Sequence, residues 1–240
     1  MHKVQNMHNW ISELPEGVRQ QVMQRCAPRT LNDGDCLFRL GDPADACFQV
    51  IKGRLKICTF NRAGQEMVHS YLMEGDCVGD WGLIINEPRM NFAFACRDTQ
   101  VNVLKKPQFD ELYEKYPEIP KALNRVMSRR LRLMFMLAED ASLLPLRQRL
   151  ARVILRMGHS VGEIDENGRA TIEDISHDEL GKMVGAIRQS VGRELKKLER
   201  EGSIEINYGK LIIRDIAVFG EQYDSLLAIE PVVPDYKGSS

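Results

Sequence analysis

Arg188, Gln189, Ser190, Arg193, Lys196, Lys197 and Arg200 fall close together in a chain whose formal net charge is only −1. Guanidinium, carboxamide and ammonium groups at that density are donors in need of acceptors. Two surfaces supply them: base-pair edges, which a guanidinium or carboxamide meets with two bonds at once, and phosphate oxygens, which any cation meets. Ile187, Val191, Leu195 and Leu198 recur at helical spacing in the same stretch and predict an apolar stripe opposite the polar face. Taken alone, a basic face on an amphipathic helix is most often a solvated one. Position separates the two readings. Arg188, Gln189 and Ser190 crowd the helix start, where a major-groove helix meets base edges. Gly192 has the lowest helix propensity in the segment, and close approach of a DNA backbone would account for it.

Such a helix has to be held by others. Ser176 and Glu179 fit the S-x-x-E capping box, in which each side chain satisfies an orphan backbone donor at a helix start. The short helix that follows buries Leu180 and Val184, carries Lys182 outward, and breaks at Gly185–Ala186. The pair reads as a helix–turn–helix. After Gly202, IEINYGKLIIRD alternates around Asn207–Tyr208–Gly209–Lys210 as a β-hairpin wing. Ahead of the motif, LRQRLARVILRMG predicts a supporting helix with Leu146, Leu150, Val153 and Met157 on one face. Residues 145–220 are thus expected to form a winged helix–turn–helix, and 221–240, aperiodic and proline-containing, a flexible tail.

Upstream, EIPKALNRVMSRRLRLMFMLAEDAS predicts one long helix over 118–144, bounded by Pro117, Pro120 and Pro145. Leu123, Met127, Leu133, Met134, Leu137 and Ala141 approximate a heptad seam interrupted by Arg130, while Leu131, Phe135 and Ala138 add a second apolar face. A helix apolar on two sides must be covered on two sides. One side can pack on the preceding domain, and the other wants a second copy of the chain, so the helix is expected to dimerise. From about 30 to 107 the text turns to short β-rich runs punctuated by glycine, including Gly53, Gly64 and Gly75. That rhythm predicts a small antiparallel barrel or roll. The fold class expected is therefore α+β: a sensor domain over 1–117 with N-terminal helices and an antiparallel β-roll, then the dimerisation helix, then the winged helix.

The hydrophobic fraction of 43% and charged fraction of 28% are those of an ordinary globular protein. No apolar run is long enough for a membrane span and the N-terminus lacks a secretory pattern, so a cytoplasmic protein is expected. Cys26, Cys36, Cys47, Cys58, Cys77 and Cys96 are scattered, without zinc or cluster spacing, and read mostly as small buried hydrophobes. No metal site is expected. No nucleophile elbow, P-loop or H-E-x-x-H occurs, and an enzyme is not expected.

The order roll, long helix, winged helix, with the motif at 176–202, resembles the family of the cyclic-AMP receptor protein and the fumarate–nitrate reductase regulator (CRP/FNR), bacterial transcription factors. The resemblance implies a homodimer that senses a signal in the roll, reads two-fold symmetric double-stranded DNA, and has RNA polymerase as a protein partner. It maps the family's phosphate-binding cassette onto VGDWGLIINEPRMNF, with Gly79–Asp80 as the ribose-contacting pair and Arg89–Met90 as the cyclic-phosphate pair. Asp80 is one methylene shorter than the family's Glu, and Met90 lacks the family's hydroxyl. The purine-contacting positions fall at Met134–Phe135, which cannot hydrogen-bond through their side chains. Lost donors leave a polar ligand unpaired, so cyclic AMP is not expected as the effector. Arg89 is alternatively a structural partner, for instance of Asp80. His69, His2 and His8 are the available haem-ligand candidates, although a lone histidine in a strand is more often packing or surface. The cofactor stays open. The resemblance aligns the family's base-reading residues with Arg188, Gln189 and Arg193. A different class of protein would also fit the roll: a small-ligand signalling module that acts through protein contacts.

Overall fold

The structure, a computed structural model, describes residues 2–5, 7–223 and 232–236. It divides into two compact units, Asn6–Arg130 and Leu131–Ser240 with Met1–Gln5, so the boundary falls inside the long helix rather than at its start.

In the first unit a short 3-10 turn, Ile11–Glu13, leads into α1 (Glu16–Met23). Two four-stranded antiparallel sheets follow. One runs in the order β2 (Ala27–Leu31), β9 (Thr99–Lys105), β4 (Ala46–Lys52), β7 (Cys77–Val78). The other runs β3 (Cys36–Phe38), β8 (Phe92–Ala95), β5 (Leu55–Phe60), β6 (Glu66–Leu72). Alternating residues of both sheets fill the space between them, among them Leu37, Val50, Leu55, Ile57, Leu72, Ala93 and Val101. Phe38 and Phe48 stack there with ring centroids 6.0 Å apart. Gly53 shows why the turns need glycine: its φ is +99°, and a Cβ would lie 2.7 Å from the Asp98 carbonyl oxygen.

A second core closes the roll with helices. Trp10, Val22, Leu104, Phe109, Leu112, Ile119, Leu123 and Val126 are packed together by α1, α3 (Lys106–Lys115) and the first turns of α4 (Glu118–Leu143). Helix α3 was not anticipated, although Phe109 and Leu112 stand at helical spacing. Leu123, expected in the dimer seam, is instead consumed by this core, and Met127 packs half-buried against it. Further along α4, Leu133 and Leu137 are half-buried and Ala141 is exposed, while the most open apolar side chains are Leu131, Phe135 and Leu143. Beyond Arg130 both apolar faces thus keep exposed side chains, Met134 and Ala141 on the seam and Leu131, Phe135 and Ala138 on the second face.

The other unit holds the rest of α4, α5 (Leu146–Ser160), α6 (His177–Val184), α7 (Arg188–Arg200) and α8 (Ile216–Tyr223). Its sheet runs β10 (Glu163–Ile164), β11 (Ala170–Glu173), β13 (Lys210–Ile213), β12 (Ile204–Asn207). The β12–β13 hairpin pairs Asn207 with Lys210 as expected of the wing. The β10–β11 hairpin was not anticipated, yet Asn167–Gly168 is a strong hairpin signal. Leu150, Ile154, Ile172, Leu180, Val191, Leu195, Leu198 and Ile213 form the common core. Asp140 fixes α4 to α5 through Arg152 Nε at 2.7 Å and Arg156 Nη1 at 2.6 Å.

The tail departs from expectation. α8 runs to Tyr223, and β14 (Val232–Asp235) pairs in parallel with β1 (His2–Gln5), burying Val233. Backbone pairing with a strand distant in sequence leaves no periodic signature within the tail itself. The remainder of 221–240 lies outside the described residues.

Candidate nucleic-acid interface and sensor cassette

The helix–turn–helix is locked at its start by the capping box. The Glu179 amide donates to Ser176 Oγ at 3.1 Å, and the Ser176 amide donates to Glu179 Oε2 at 3.0 Å. Between the helices Gly185 is left-handed, with φ +66°, and the Ala186 amide donates to the Gly181 carbonyl at 2.9 Å. A Cβ on Gly181 would lie 2.4 Å from the Ala186 oxygen, so this glycine, which sequence reasoning passed over, is what lets the turn close onto α6.

Val191, Leu195 and Leu198 of α7 are fully buried, but Ile187 is 61% exposed. It does not belong to the apolar stripe as expected. Ile187 is the N-cap, with extended ψ of 147°, and the helical angular spacing does not reach back through an extended residue. On the outward face Arg188, Gln189, Arg193, Lys196, Lys197 and Arg200 are exposed. Arg193 Nη2 donates to Ser190 Oγ at 3.1 Å, Lys197 pairs with Glu194 at 2.9 Å, and Lys182 pairs with Asp178 at 3.0 Å. Among the described residues no hydrogen bond or ion pair engages the side chains of Arg188, Gln189, Lys196 or Arg200.

His177, not singled out from sequence, opens α6 beside this surface. Partial burial lowers its pKa, with Arg188 and Lys196 adding to the effect, which marks how cationic the neighbourhood is. A Cβ on Gly192 would meet the His177 ring at an ordinary 3.5 Å, so packing within the chain does not itself demand glycine there.

In the roll, Gly79 is left-handed (φ +86°) and caps α2 (Asp80–Ile85). A Cβ at Gly79 would fall 2.6 Å from Arg89 Nη1. Arg89 itself is buried and turned onto backbone: Nη1 donates to the Gly79 carbonyl at 2.9 Å and Nη2 to the Ala46 carbonyl at 2.5 Å. Its guanidinium lies 4.6 Å from the centre of the Phe38 ring, and Nη2 pairs with the Asp45 carboxylate at 3.5 Å. Burial lowers its pKa, against the opposing pull of Asp45. Asp80 is not its partner. Asp80 is 1% exposed and accepts at both oxygens from Arg130 Nη1, at 3.1 and 3.2 Å. Arg130 also donates from Nη2 to the Cys77 and His8 carbonyls at 3.0 and 3.3 Å, and from Nε to His8 Nδ1 at 3.1 Å. The residue that breaks the heptad is thus an inward-facing clamp on the cassette. Met90 is exposed. Met134 and Phe135 belong to the other unit and are likewise exposed on α4.

Two of the three haem-ligand candidates, His8 and His69, are otherwise engaged. Burial, with Arg130 and Arg129 nearby, drives His8 down to about 3, and its Nδ1 already accepts from Arg130. His69 is exposed on β6, with Nε2 2.9 Å from Thr59 Oγ1. The His2 side chain lies outside the described residues. Cys47, Cys58 and Cys77 are buried, and Cys26 and Cys36 partly so. Burial pushes the Cys26 thiol up to about 11 and Cys58 to about 12, and it raises Cys36, Cys47 and Cys77 as well. These are unreactive protonated thiols near neutrality. Among the described residues no three His, Cys, Asp or Glu side chains cluster in a way that could hold a metal ion. None of the described helices is long and apolar enough to cross a membrane.

Residues 28–116 match the cyclic nucleotide-binding domain, and residues 148–219 the Crp-like helix-turn-helix domain. The chain is 26% identical over 208 residues to the transcriptional regulatory protein btr of Bordetella pertussis, covering 87% of this chain and 83% of that protein. It is 29% identical over 204 residues to the cAMP-activated global transcriptional regulator Vfr of Pseudomonas aeruginosa, covering 83% and 92%. In fold it is similar to the c-di-GMP responsive global regulator CLP of Xanthomonas campestris, with TM-score 0.75, 22% identity, and 83% and 99% of the two chains covered. FixK2 of Bradyrhizobium japonicum gives TM-score 0.72 at 17% identity, covering 85% and 99%. With a nucleotide-binding-type roll, a long helix and a Crp-like helix–turn–helix in that order, the chain belongs to the CRP/FNR family of DNA-binding transcriptional regulators controlled by a sensed signal.

Proposed function

We propose that the protein acts in the cytoplasm as a homodimer that reads an inverted-repeat DNA site through two copies of α7. The observation that carries this reading is the set of unengaged donors on α7, Arg188, Gln189, Lys196 and Arg200, projecting from a helix whose other face is sealed in the core. Arg188 at the helix start suits guanine O6/N7, Gln189 suits adenine N6/N7, and Arg193 reaches a base edge or phosphate. Lys182, Lys196, Lys197, Arg200 and the Ser176 end of α6 serve the phosphates, with Gly192 giving the backbone room to approach. The exposed apolar line Leu131, Phe135 and Ala138 on α4 supports self-association, since a second α4 would remove it from water. RNA polymerase is the protein partner of this reading, and the role is regulatory rather than catalytic. Ordinary cyclic AMP is not the effector in this reading: Arg89 Nη1 and Nη2 are turned onto the Gly79 and Ala46 carbonyls, and Met90 offers no hydroxyl. Selection from a random-sequence pool tests the core of the proposal. An inverted repeat with half-sites one helical turn apart, about 34 Å, is expected. Recovery of no such repeat under any effector or redox condition would leave the protein-docking role in its place.

A further inference from the structure

A branched aliphatic side chain stands at the entrance to the recognition helix. Ile187 is the N-cap of α7, 61% exposed, between Gly185 and the exposed Arg188 and Gln189. Two features make it a poor choice for folding. An N-cap side chain normally accepts a hydrogen bond from the first turn, and isoleucine is among the least favoured residues there. Accordingly no side-chain cap bond is made at the start of α7, whereas Ser176 caps α6 fully. The exposed side chain also gains nothing from the core that Val191, Leu195 and Leu198 occupy. A local rule broken twice at one position, without return inside the chain, points to a return outside it.

Resting on the DNA-reading role of α7, we propose that Ile187 is a specificity residue that packs against the 5-methyl group of a thymine in each half-site. An aliphatic group can neither donate to a phosphate nor bond to a base edge. In the major groove the apolar group on offer is the thymine methyl. Successive Cα atoms are about 3.8 Å apart, close to the rise of about 3.4 Å per base pair, so the thymine lies within one or two steps of the pair that Arg188 meets.

The test replaces each thymine of the selected operator, one position at a time, with uracil, which pairs identically and lacks only the methyl. Removing a contacted methyl should weaken wild-type binding about four-fold, the fold-change that about 0.8 kcal/mol per buried carbon group corresponds to. One position per half-site should show this drop, and in Ile187→Ser and Ile187→Ala it should vanish. Ile187→Ser restores a capping hydroxyl and should melt no lower than wild type, which separates lost contact from lost fold. Equal affinity for thymine and uracil at every position would overturn the assignment while leaving DNA recognition intact. A methyl effect that persists unchanged in both variants would also overturn it. Failure to recover any operator would instead overturn the DNA-reading role, and this inference with it.

Discussion

Arg188 and Lys196 sit one behind the other on the same face of α7, yet their settings assign them different work. Arg188 lies at the helix start, where base edges are within reach, so Arg188→Ala should cost about 1–3 kcal/mol and relax preference at one position of each half-site. Lys196 lies deeper along the helix, so Lys196→Ala should weaken all sequences alike and lower the slope of log affinity against log salt by about one. Repeating the selection with each variant, and titrating binding against salt, separates the two. Lys197 is the less informative probe because it is already paired with Glu194. His8 carries a prediction of another kind. Folded, it stays neutral down to about pH 3, because burial and the Arg130 and Arg129 charges oppose its protonation. Unfolded, it takes up a proton below its ordinary pKa of 6.5. The unfolded chain therefore binds more protons between those limits, and stability falls as pH drops from about 6.5 toward 3. By linkage the loss from pH 7 to pH 5 amounts to about 2 kcal/mol from this residue. His8→Asn, which keeps an acceptor for Arg130, should flatten urea-measured stability over that interval by a comparable amount; an unchanged pH profile would show that His8 is not the group responsible.

At the scale of elements, α4 and α6 make separate demands. α6 begins on a reciprocal cap, and Ser176→Ala removes an acceptor from a helix of only 8 residues. A loss of about 1 kcal/mol in thermal or urea unfolding is expected, with weaker operator binding as α6 frays. Helix α4 exposes Leu131 and Phe135 while Leu123 is buried in the helical core below the roll, so the self-association proposed above is tested at Phe135. Phe135→Glu would bury a charge between two copies, a penalty of several kcal/mol. Sedimentation should report a monomer with weakened operator binding. A dimer of wild-type affinity would place the interface elsewhere.

For the whole molecule, the question is how a signal in the roll reaches DNA affinity. Within the first unit Arg130 joins α4 to the cassette through Asp80, Cys77 and His8, so a ligand that displaced the cassette would pull directly on α4. Arg89, which the resemblance aligns with a cyclic-phosphate contact, turns Nη1 and Nη2 onto the Gly79 and Ala46 carbonyls. Calorimetric titration with cyclic AMP should accordingly give no heat in the micromolar range, and operator affinity should not change on its addition. A clean isotherm abolished in Arg89→Ala would restore the nucleotide role.

Features set by neighbouring residues were legible before any tertiary contact was known. The Ser176–Glu179 cap, the Gly185 turn, the Asn207–Lys210 hairpin and the extent of α4 each follow from a few neighbouring residues, and the structure has them where the spacing puts them. The donors of α7 were legible for the same reason, since charge density and helical period are properties of one segment. The partners of long-range pairs were not. Asp80 and Arg130 are 50 residues apart, and a sequence shows two charges without showing which guanidinium a carboxylate will meet. Leu123 and Met134 both fall on the heptad seam, yet it took tertiary packing to bury the first in the helical core below the roll and leave the second exposed. Ile187 matched the helical period and lost its place in the core because an extended residue ends that period, a backbone fact that composition does not carry. The β1–β14 pairing was invisible for a related reason: parallel strands from opposite ends of the chain are joined by backbone hydrogen bonds, which leave no mark in side-chain pattern.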